Sequence, residues 1–130
     1  MPNIITMPEA HAAATFYPDM QVWWKNRLAL GDNQELCWVR FEPGAVYPMH
    51  SHLYEQVSVV IEGRMLLTVG TETREVGPGD MWFVPPDMIH GGVILGDAPV
   101  IFIDVYAPPS KGDDSDVIFY DDPPPGPCAV

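Results

Sequence analysis

Residues 44–63 read GAVYPMHSHLYEQVSVVIEG, and they contain two of the four histidines close to an acid and an amide. His50 and His52 are separated by one residue, and Gln56 follows four residues later. Residues two apart on a β-strand share a face, so these three side chains can face one point, whereas Glu55 has the opposite parity. Imidazole is a common ligand for Zn, Fe, Ni, Cu and Mn, so the pattern is compatible with a metal site.

A third histidine lies in a second distinctive stretch, residues 78–90, which reads PGDMWFVPPDMIH and ends at His90. A neighbouring strand could bring this imidazole to the same point. The pattern by itself leaves an alternative open, because a His-x-His pair is often two unrelated surface or core histidines. The fourth histidine, His11, lies in the N-terminal region.

The rest of the sequence predicts an all-β domain. Short runs rich in Val, Ile, Phe and Trp are separated by 15 Pro and 11 Gly, and helical periodicity is nearly absent. About eight strands with tight turns fit the two facing sheets of a jelly-roll barrel. The predicted strands are 21–24, 35–41, 56–61, 65–69, 73–76, 81–84, 92–95 and 100–106.

Length and charge limit the kinds of partner. At 130 residues, 47% of them apolar, the chain is expected to fold as one domain. Its formal net charge of −12 argues against binding to nucleic acid or to an anionic membrane surface, because both depend on Lys and Arg. A small-molecule partner is therefore expected.

The lack of a recognisable targeting signal and the presence of only two cysteines predict a cytoplasmic protein. No apolar run approaches the ~20 residues that a membrane span needs, and the start, MPNIITMPEA, lacks the pattern of a secretory signal. Cys37 lies in an apolar run and Cys128 in the terminal tail, so we expect two free thiols rather than a disulfide framework.

The two stretches together resemble the cupin superfamily. Residues 44–63 are similar to the first cupin motif, a Gly, five residues, His-x-His, an acid or amide and a closing Gly, and residues 78–90 are similar to the second. The resemblance implies a double-stranded β-helix, the cupin jelly roll. Two positions depart from the motif: Asp87 stands where Gly is usual, and Ile94 where Asn is often found.

More narrowly, HSHLYEQ, IEGRM, PPDMIHG and DVYAPP resemble the KdgF-type cupins, which convert ring-form unsaturated uronates from pectin or alginate breakdown into their linear keto form. In that family Gln replaces the usual Glu ligand. The resemblance therefore implies one divalent ion (Zn, Ni, Fe or Mn) held by His50, His52, Gln56 and His90, with Glu55 as the alternative to Gln56. Neutral ligands would leave the ion its full charge and make it a strong Lewis acid.

The last predicted barrel strand contains a candidate proton carrier. Asp104 interrupts the apolar run VIFIDVY, and it points either to solvent or into the barrel. The resemblance to DVxxPP in KdgF-type proteins implies that Asp104 is a general acid or base. Tyr106 is a catalytic candidate as a hydrogen-bond donor, and Phe102 and Tyr106, which share its face, are candidate substrate-binding residues.

A uronate carboxylate would need a cationic anchor, for which Arg40 is the candidate, since Arg offers a bidentate fork. The alternative is that Arg40 is a surface charge on the sheet. The Trp side chains are interpreted mainly as core or interface packing, with stacking on a sugar ring as the alternative. They are Trp23, Trp24, Trp38 and Trp82.

The predicted organisation is an N-terminal arm (1–20), a cupin barrel (21–107) and an acidic, Pro-rich tail (108–130). Residues 116–120 (DVIFY) could add an edge strand to the same barrel or to a partner, and a homodimer is expected. The function hypotheses are non-redox tautomerisation or ring opening of a small carbonyl compound, oxygen-dependent cupin chemistry, an enzyme of polyketide metabolism, and sugar binding without catalysis.

Overall fold

The computed structural model describes residues 3–112 and 115–127, which form one short helix and twelve strands. The helix, α1, spans Met7–Ala13. The strands are β1 Thr15–Tyr17, β2 Val22–Trp24, β3 Ala29–Leu30, β4 Glu35–Phe41, β5 Val46–His52, β6 Glu55–Glu62, β7 Arg64–Val69, β8 Glu72–Val76, β9 Met81–Val84, β10 His90–Leu95, β11 Val100–Ala107 and β12 Val117–Phe119.

The strands form two antiparallel sheets. Sheet A has the order β1-β2-β4-β11-β6-β9, with β3 also paired to β4, and sheet B has the order β12-β5-β10-β7-β8. One hydrophobic core lies between them and contains side chains from both sheets. The predicted all-β jelly-roll barrel is confirmed. The described part of the chain contains no helix long and apolar enough to cross a membrane.

Three aromatic rings join the two sheets at the centre of the core. Phe41 and Phe102 come from β4 and β11 of sheet A, and Tyr47 comes from β5 of sheet B. Their ring centroids lie 5.0 to 5.9 Å apart. Aromatic pairs in this range add to the stability that burial of the rings provides, roughly 1.5–3 kcal/mol for a Phe. These rings therefore bring β4 and β11 of one sheet into contact with β5 of the other.

Strand β5 was not among the predicted strands, although His50 and His52 were expected to share one face of a strand. Pro48 and the polar histidines hide its apolar alternation. The pairing of β5 with β10 shifts between His90 and Gly92, which lie opposite His50 and Tyr47. The extra residue on β5 makes a β-bulge, and a bulge is one of the few places where a strand accommodates proline.

The segments on either side of the predicted barrel also contain regular structure. Thr6 caps α1 by accepting a hydrogen bond from the backbone N–H of Glu9 at 3.4 Å. The tail forms β12, which pairs with β5 of the same chain. The helix has seven residues and β12 has three, and β12 pairs with a strand distant in the sequence, so local sequence patterns indicate both elements weakly. The buried Cys37 is a free thiol, and Cys128 lies outside the described residues.

Two glycines with similar backbone angles allow a matched test of the turns. Gly44 has φ +80° and Gly63 has φ +84°, so an alanine at either position suffers similar left-handed strain of about 1–2 kcal/mol. A Cβ at Gly44 meets no atom within 4 Å, whereas one at Gly63 collides with the Pro99 carbonyl oxygen and with Val100.

We therefore expect Gly63→Ala to lower the free energy of unfolding by about 1–3 kcal/mol more than Gly44→Ala, because it adds overpacking to the same strain. Urea denaturation of both variants measures the difference. Equal losses would show that the strand connection at Gly63 has room that the structure does not show.

Candidate metal centre

The three predicted histidines converge inside the barrel. His50 and His52 lie on β5, and His90 lies opposite His50 on β10. All three are buried, and one ring nitrogen from each lies within 4.8 Å of the others. The strand parity places His50 and His52 on the same face, and the pairing of β5 with β10 brings His90 to them.

The backbone sets the tautomer of each ring. In every case Nδ1 lies within hydrogen-bond distance of a carbonyl oxygen two residues away: His50 to Pro48 at 2.6 Å, His52 to Tyr54 at 2.8 Å, and His90 to Met88 at 3.0 Å. A carbonyl oxygen only accepts, so Nδ1 must bear the hydrogen and Nε2 keeps its lone pair. A donor bond from the second ring nitrogen is the usual arrangement of a metal-ligating histidine.

Burial also keeps the three rings uncharged. It lowers the pKa of His50 from 6.5 to about 4, lowers that of His52, and lowers that of His90 well below its usual range. Neutral imidazole is the form that binds metal ions. At neutral pH the free Nε2 lone pairs are therefore available.

Gln56 completes a set of four acceptor atoms. Its Oε1 lies 3.1 Å from His52 Nε2 and 3.2 Å from His90 Nε2. Its Nε2 faces the other way and donates to Asp104 Oδ1 at 3.0 Å and to Ser58 Oγ at 2.9 Å. Because the Asp104 carboxylate only accepts, it holds the amide nitrogen on its own side and turns Oε1 toward the histidines.

This arrangement fits a divalent cation. The Gln56 oxygen and the unprotonated histidine nitrogens are all acceptors, so they cannot hydrogen-bond to one another. A cation among them offsets the repulsion, and imidazole with amide oxygen suits Zn, Ni, Fe or Mn. The alternative ligand, Glu55, is exposed on the outer face of β6 and lies away from this set.

Asp104 is a buried carboxyl group directly behind Gln56. Only 1% of its surface is exposed. Oδ1 accepts from Gln56 and Ser58, and Oδ2 accepts from the Tyr106 hydroxyl at 2.8 Å. Burial raises the pKa of Asp104 from 3.8 to about 7, against the lowering effect of these hydrogen bonds. Of the two orientations left open by the sequence, the structure shows the inward one.

A narrow cavity of about 20 Å³ reaches the centre from one side of the barrel. The lining includes the polar side chains of His50, Asp104, Tyr47 and Tyr106, and the Tyr106 hydroxyl accepts from Trp24 Nε1 at 3.1 Å. The remaining walls are mainly apolar or aromatic. The lining residues are Met20, Val22, Trp24, Val39, Phe41, Tyr47, Pro48, His50, Phe102, Asp104, Tyr106 and Phe119.

Phe102 and Tyr106 therefore line the cavity, but Arg40 does not. Arg40 lies on the outer face of sheet A, where its Nε donates to Glu42 Oε1 at 2.8 Å. Residues two apart share a face, so this pair follows from the register that turns Val39 and Phe41 inward. The structure thus corrects the assignment of Arg40 as a substrate anchor. Among the described lining residues, none is Lys or Arg.

Ser58 and Phe119 belong to the site but were not among the residues predicted for it. Ser58 has the same parity as Gln56 on one strand, so the rule that identified Gln56 also indicates Ser58. Phe119 belongs to the segment 116–120 that was interpreted as a possible edge strand, but its place in the cavity depends on the pairing of β12 with β5, which the local pattern does not specify. Of the Trp residues, Trp24 is the one that lines the cavity, and its ring stands beside Tyr106.

Comparison with known proteins places the fold in context. Residues 37–106 match the family described as "Cupin domain". An uncharacterized protein of Methanocaldococcus jannaschii is 28% identical over 89 residues, which are 68% of this chain and 71% of that protein.

Two solved structures share the fold of this chain, one of a KdgF protein and one of a polyketide cyclase. KdgF from Halomonas sp. is 26% identical with a TM-score of 0.66, over 75% of this chain and 86% of that chain. The polyketide cyclase RemF from Streptomyces resistomycificus is 29% identical with a TM-score of 0.59, over 67% of this chain and 65% of that chain.

The buried histidines predict how the stability of the metal-free protein changes with pH. Three histidines have lowered pKa values, so between pH 6.5 and 4.5 the unfolded chain binds up to three protons that the folded chain does not. The raised pKa of Asp104 has the opposite sign and offsets about one of them. The free energy of unfolding should therefore fall as the pH falls, by on the order of 2 kcal/mol per pH unit.

Urea denaturation in the presence of a chelator at pH 7, 6, 5.5 and 5 measures this slope. The double variant His50→Gln with His90→Gln removes two of the three histidines and should flatten it. A slope that is the same in both proteins would contradict the burial of neutral rings.

Proposed function

The chain belongs to the cupin family, whose fold supports many activities, and from its site we propose that it is a metal-dependent enzyme that moves a proton on a small carbonyl compound without net oxidation or reduction. The most specific substrate class that we propose is an unsaturated uronate, which the reaction would tautomerise or open to a linear keto form.

One observation supports the proposal above the others, namely that Gln56 joins the ligand set to Asp104. Its Oε1 faces the histidine nitrogens, and its Nε2 donates to the carboxylate. A group able to hold a proton thus lies one side chain from the atoms that would hold a cation, and His50 and Asp104 line the same cavity. Proton transfer at a polarised carbonyl compound needs this combination.

The residues that would hold the ion are His50, His52, Gln56 and His90. All four are neutral ligands, so a bound divalent ion keeps its full charge and supplies Lewis-acid polarisation of a substrate oxygen. The protein residues do the rest: the backbone carbonyls orient the imidazoles, and Asp104 orients the carboxamide.

Asp104 and Tyr106 form a pair suited to moving a proton. When Asp104 is ionised, the Tyr106 hydroxyl donates to Oδ2. When Oδ2 is protonated, its O–H donates a hydrogen bond to Tyr106 Oη. The hydroxyl hydrogen of Tyr106 must then point to another acceptor. Trp24 Nε1 already donates to this oxygen, so the cavity is the side toward which the hydrogen can turn. In this proposal Asp104 is the general acid or base and Tyr106 conveys its state to the substrate.

The uronate is supported by the similarity to KdgF and by the motifs around the ligands. The wall of the cavity favours a second candidate, a neutral aromatic carbonyl compound, because the described lining is mainly apolar and has no cation to bind a carboxylate. The similarity to a polyketide cyclase supports the same alternative. The homodimer, and the absence of nucleic acid and membrane partners, stay predictions from the sequence.

The central test is Asp104→Asn, with Glu55→Gln as the matched control. An asparagine oxygen can still accept from Gln56 and Ser58 while its amide faces Tyr106, so the carboxamide keeps its orientation and the protein should keep its metal. We expect turnover to fall by about 10²–10⁴-fold, the usual contribution of a general acid or base. Glu55 is exposed on the outer face of β6, the strand that carries Gln56 on its inner face, so its variant should keep full activity.

Elemental analysis of both variants measures the metal, and the absorbance of the conjugated double bond of an unsaturated uronate measures turnover. An Asp104→Asn protein that keeps both metal and activity would exclude Asp104 from the reaction. Loss of both would instead assign Asp104 to metal binding alone.

The substrate class and the type of chemistry need a separate assay. Unsaturated uronates and neutral aromatic polyketones are supplied in parallel to metal-loaded protein, with oxygen uptake recorded. We expect turnover of the uronate above its spontaneous rate and no oxygen consumption. Turnover of the polyketone only would favour the second candidate, and oxygen uptake would refute non-redox chemistry.

A further inference from the structure

The cavity beside the centre opens to solvent through a small rim. Nine of its twelve lining residues are buried. The three that reach the surface are Met20, Pro48 and Phe119, and they come from the β1–β2 turn, β5 and β12. These three are therefore the described lining residues at which a compound from solvent first meets the cavity.

The cavity is far smaller than any substrate considered above. A volume of about 20 Å³ has room for about one water molecule. Sites for small organic ligands usually measure roughly 300–1,000 Å³. The rim must therefore move before a substrate enters, and the residue that moves most readily controls entry.

Phe119 is the rim residue with the weakest attachment. Pro48 lies inside β5, and its carbonyl oxygen holds the His50 ring, so displacement of Pro48 would disturb the metal ligand. Met20 packs against the core. Phe119, by contrast, is 43% exposed and belongs to a three-residue strand at the edge of sheet B.

The register of β12 aims Phe119 at the centre. Phe119 lies opposite His50, and their ring centroids are 5.9 Å apart. Ile118 points to the other face and is 59% exposed. The next residue, Tyr120, ties the strand end to β5, with its N–H donating to Met49 O at 2.9 Å and its hydroxyl 2.9 Å from Ser51 Oγ.

We propose that Phe119 is a specificity-determining residue that forms the movable side of the entrance and limits the size of compounds that reach His50 and Asp104. The assignment of those compounds as substrates rests on the proposed function. The aperture itself does not, since it is a property of β12 and the barrel. A bulkier side chain at position 119 narrows the entrance, and a smaller one widens it.

The test labels the site histidines in metal-free protein with diethyl pyrocarbonate, which acylates unprotonated imidazole nitrogen. The variants are Phe119→Ala, Phe119→Leu and Phe119→Trp, and Ile118→Ala is the control on the same strand. Mass spectrometry follows the peptide that contains His50 and His52, and the peptide with His11, whose ring meets that of Trp23 edge to face, is the internal reference.

We expect the labelling rate to increase in the order Trp, Phe, Leu, Ala at position 119. For Phe119→Ala the rate should rise about fivefold or more, because the entrance opens more easily with a smaller side chain. Ile118→Ala should leave it unchanged. Equal acceleration by both alanine variants would overturn the proposal, because the strand would then be loosened rather than the aperture widened. The proposal would also be overturned if the labelling rate did not change with the size of the side chain at position 119. If Phe119→Ala fails to fold, the Leu and Trp variants still give the ranking.

A second measurement uses the metal-loaded enzyme with a short and a long substrate of one class. For Phe119→Leu the ratio of kcat/KM, long over short, should rise about tenfold, within the range by which pocket size discriminates substrates. Labelling that follows the size of residue 119 without any turnover would refute the proposed function and leave the entrance intact. Turnover with an unchanged ratio and unchanged labelling would refute the role of Phe119 alone.

Discussion

The centre depends on the orientation of one carboxamide. Gln56 has a donor side and an acceptor side, and Oδ1 of Asp104 accepts its hydrogen bond whether or not Oδ2 is protonated, so the donor side faces Asp104. Its oxygen then joins the unprotonated nitrogens of His52 and His90. Reversal of the amide would place two hydrogens among the ligand atoms and its oxygen against a carboxylate. The buried acid therefore has a structural effect on the ligand set as well as its proposed part in proton transfer.

The imidazoles are oriented by the backbone around them, not by distant side chains. Each histidine donates from Nδ1 to a carbonyl oxygen two residues away in the chain. The local path of the backbone matters for this, and near His90 it includes Asp87 at φ +67°, in the left-handed region that favours glycine and that Asp tolerates better than most residues. The departure from the usual glycine thus keeps the conformation that the turn before His90 requires.

Strand parity was enough to predict much of the centre. It selected Gln56 over Glu55 and, with the family resemblance, placed Asp104 inside the barrel. The same rule also places Arg40 on the outer face of the sheet, because Arg40 shares a face with Glu42 and lies on the face opposite to the buried Phe41. The approach of β12 to β5 is different in kind. Phe119 reaches His50 through a pairing between segments 69 residues apart, and no local pattern encodes such a contact.

The charges around the cavity bear on the two candidate substrates. Among the described lining residues, Asp104 is the one acid and no Lys or Arg is present, so an anion without a cation would meet an apolar wall and a second negative charge. Neutral ligands leave a divalent ion its full charge, which balances one ionised Asp104 and one monoanionic substrate. A uronate is a monoanion and completes this balance. With a neutral aromatic ketone, one positive charge of the ion would stay unbalanced unless a hydroxide or an ionised phenol group were also bound. The charge balance therefore favours the uronate, whereas the apolar walls favour the neutral aromatic compound, so charge and wall polarity select different candidates.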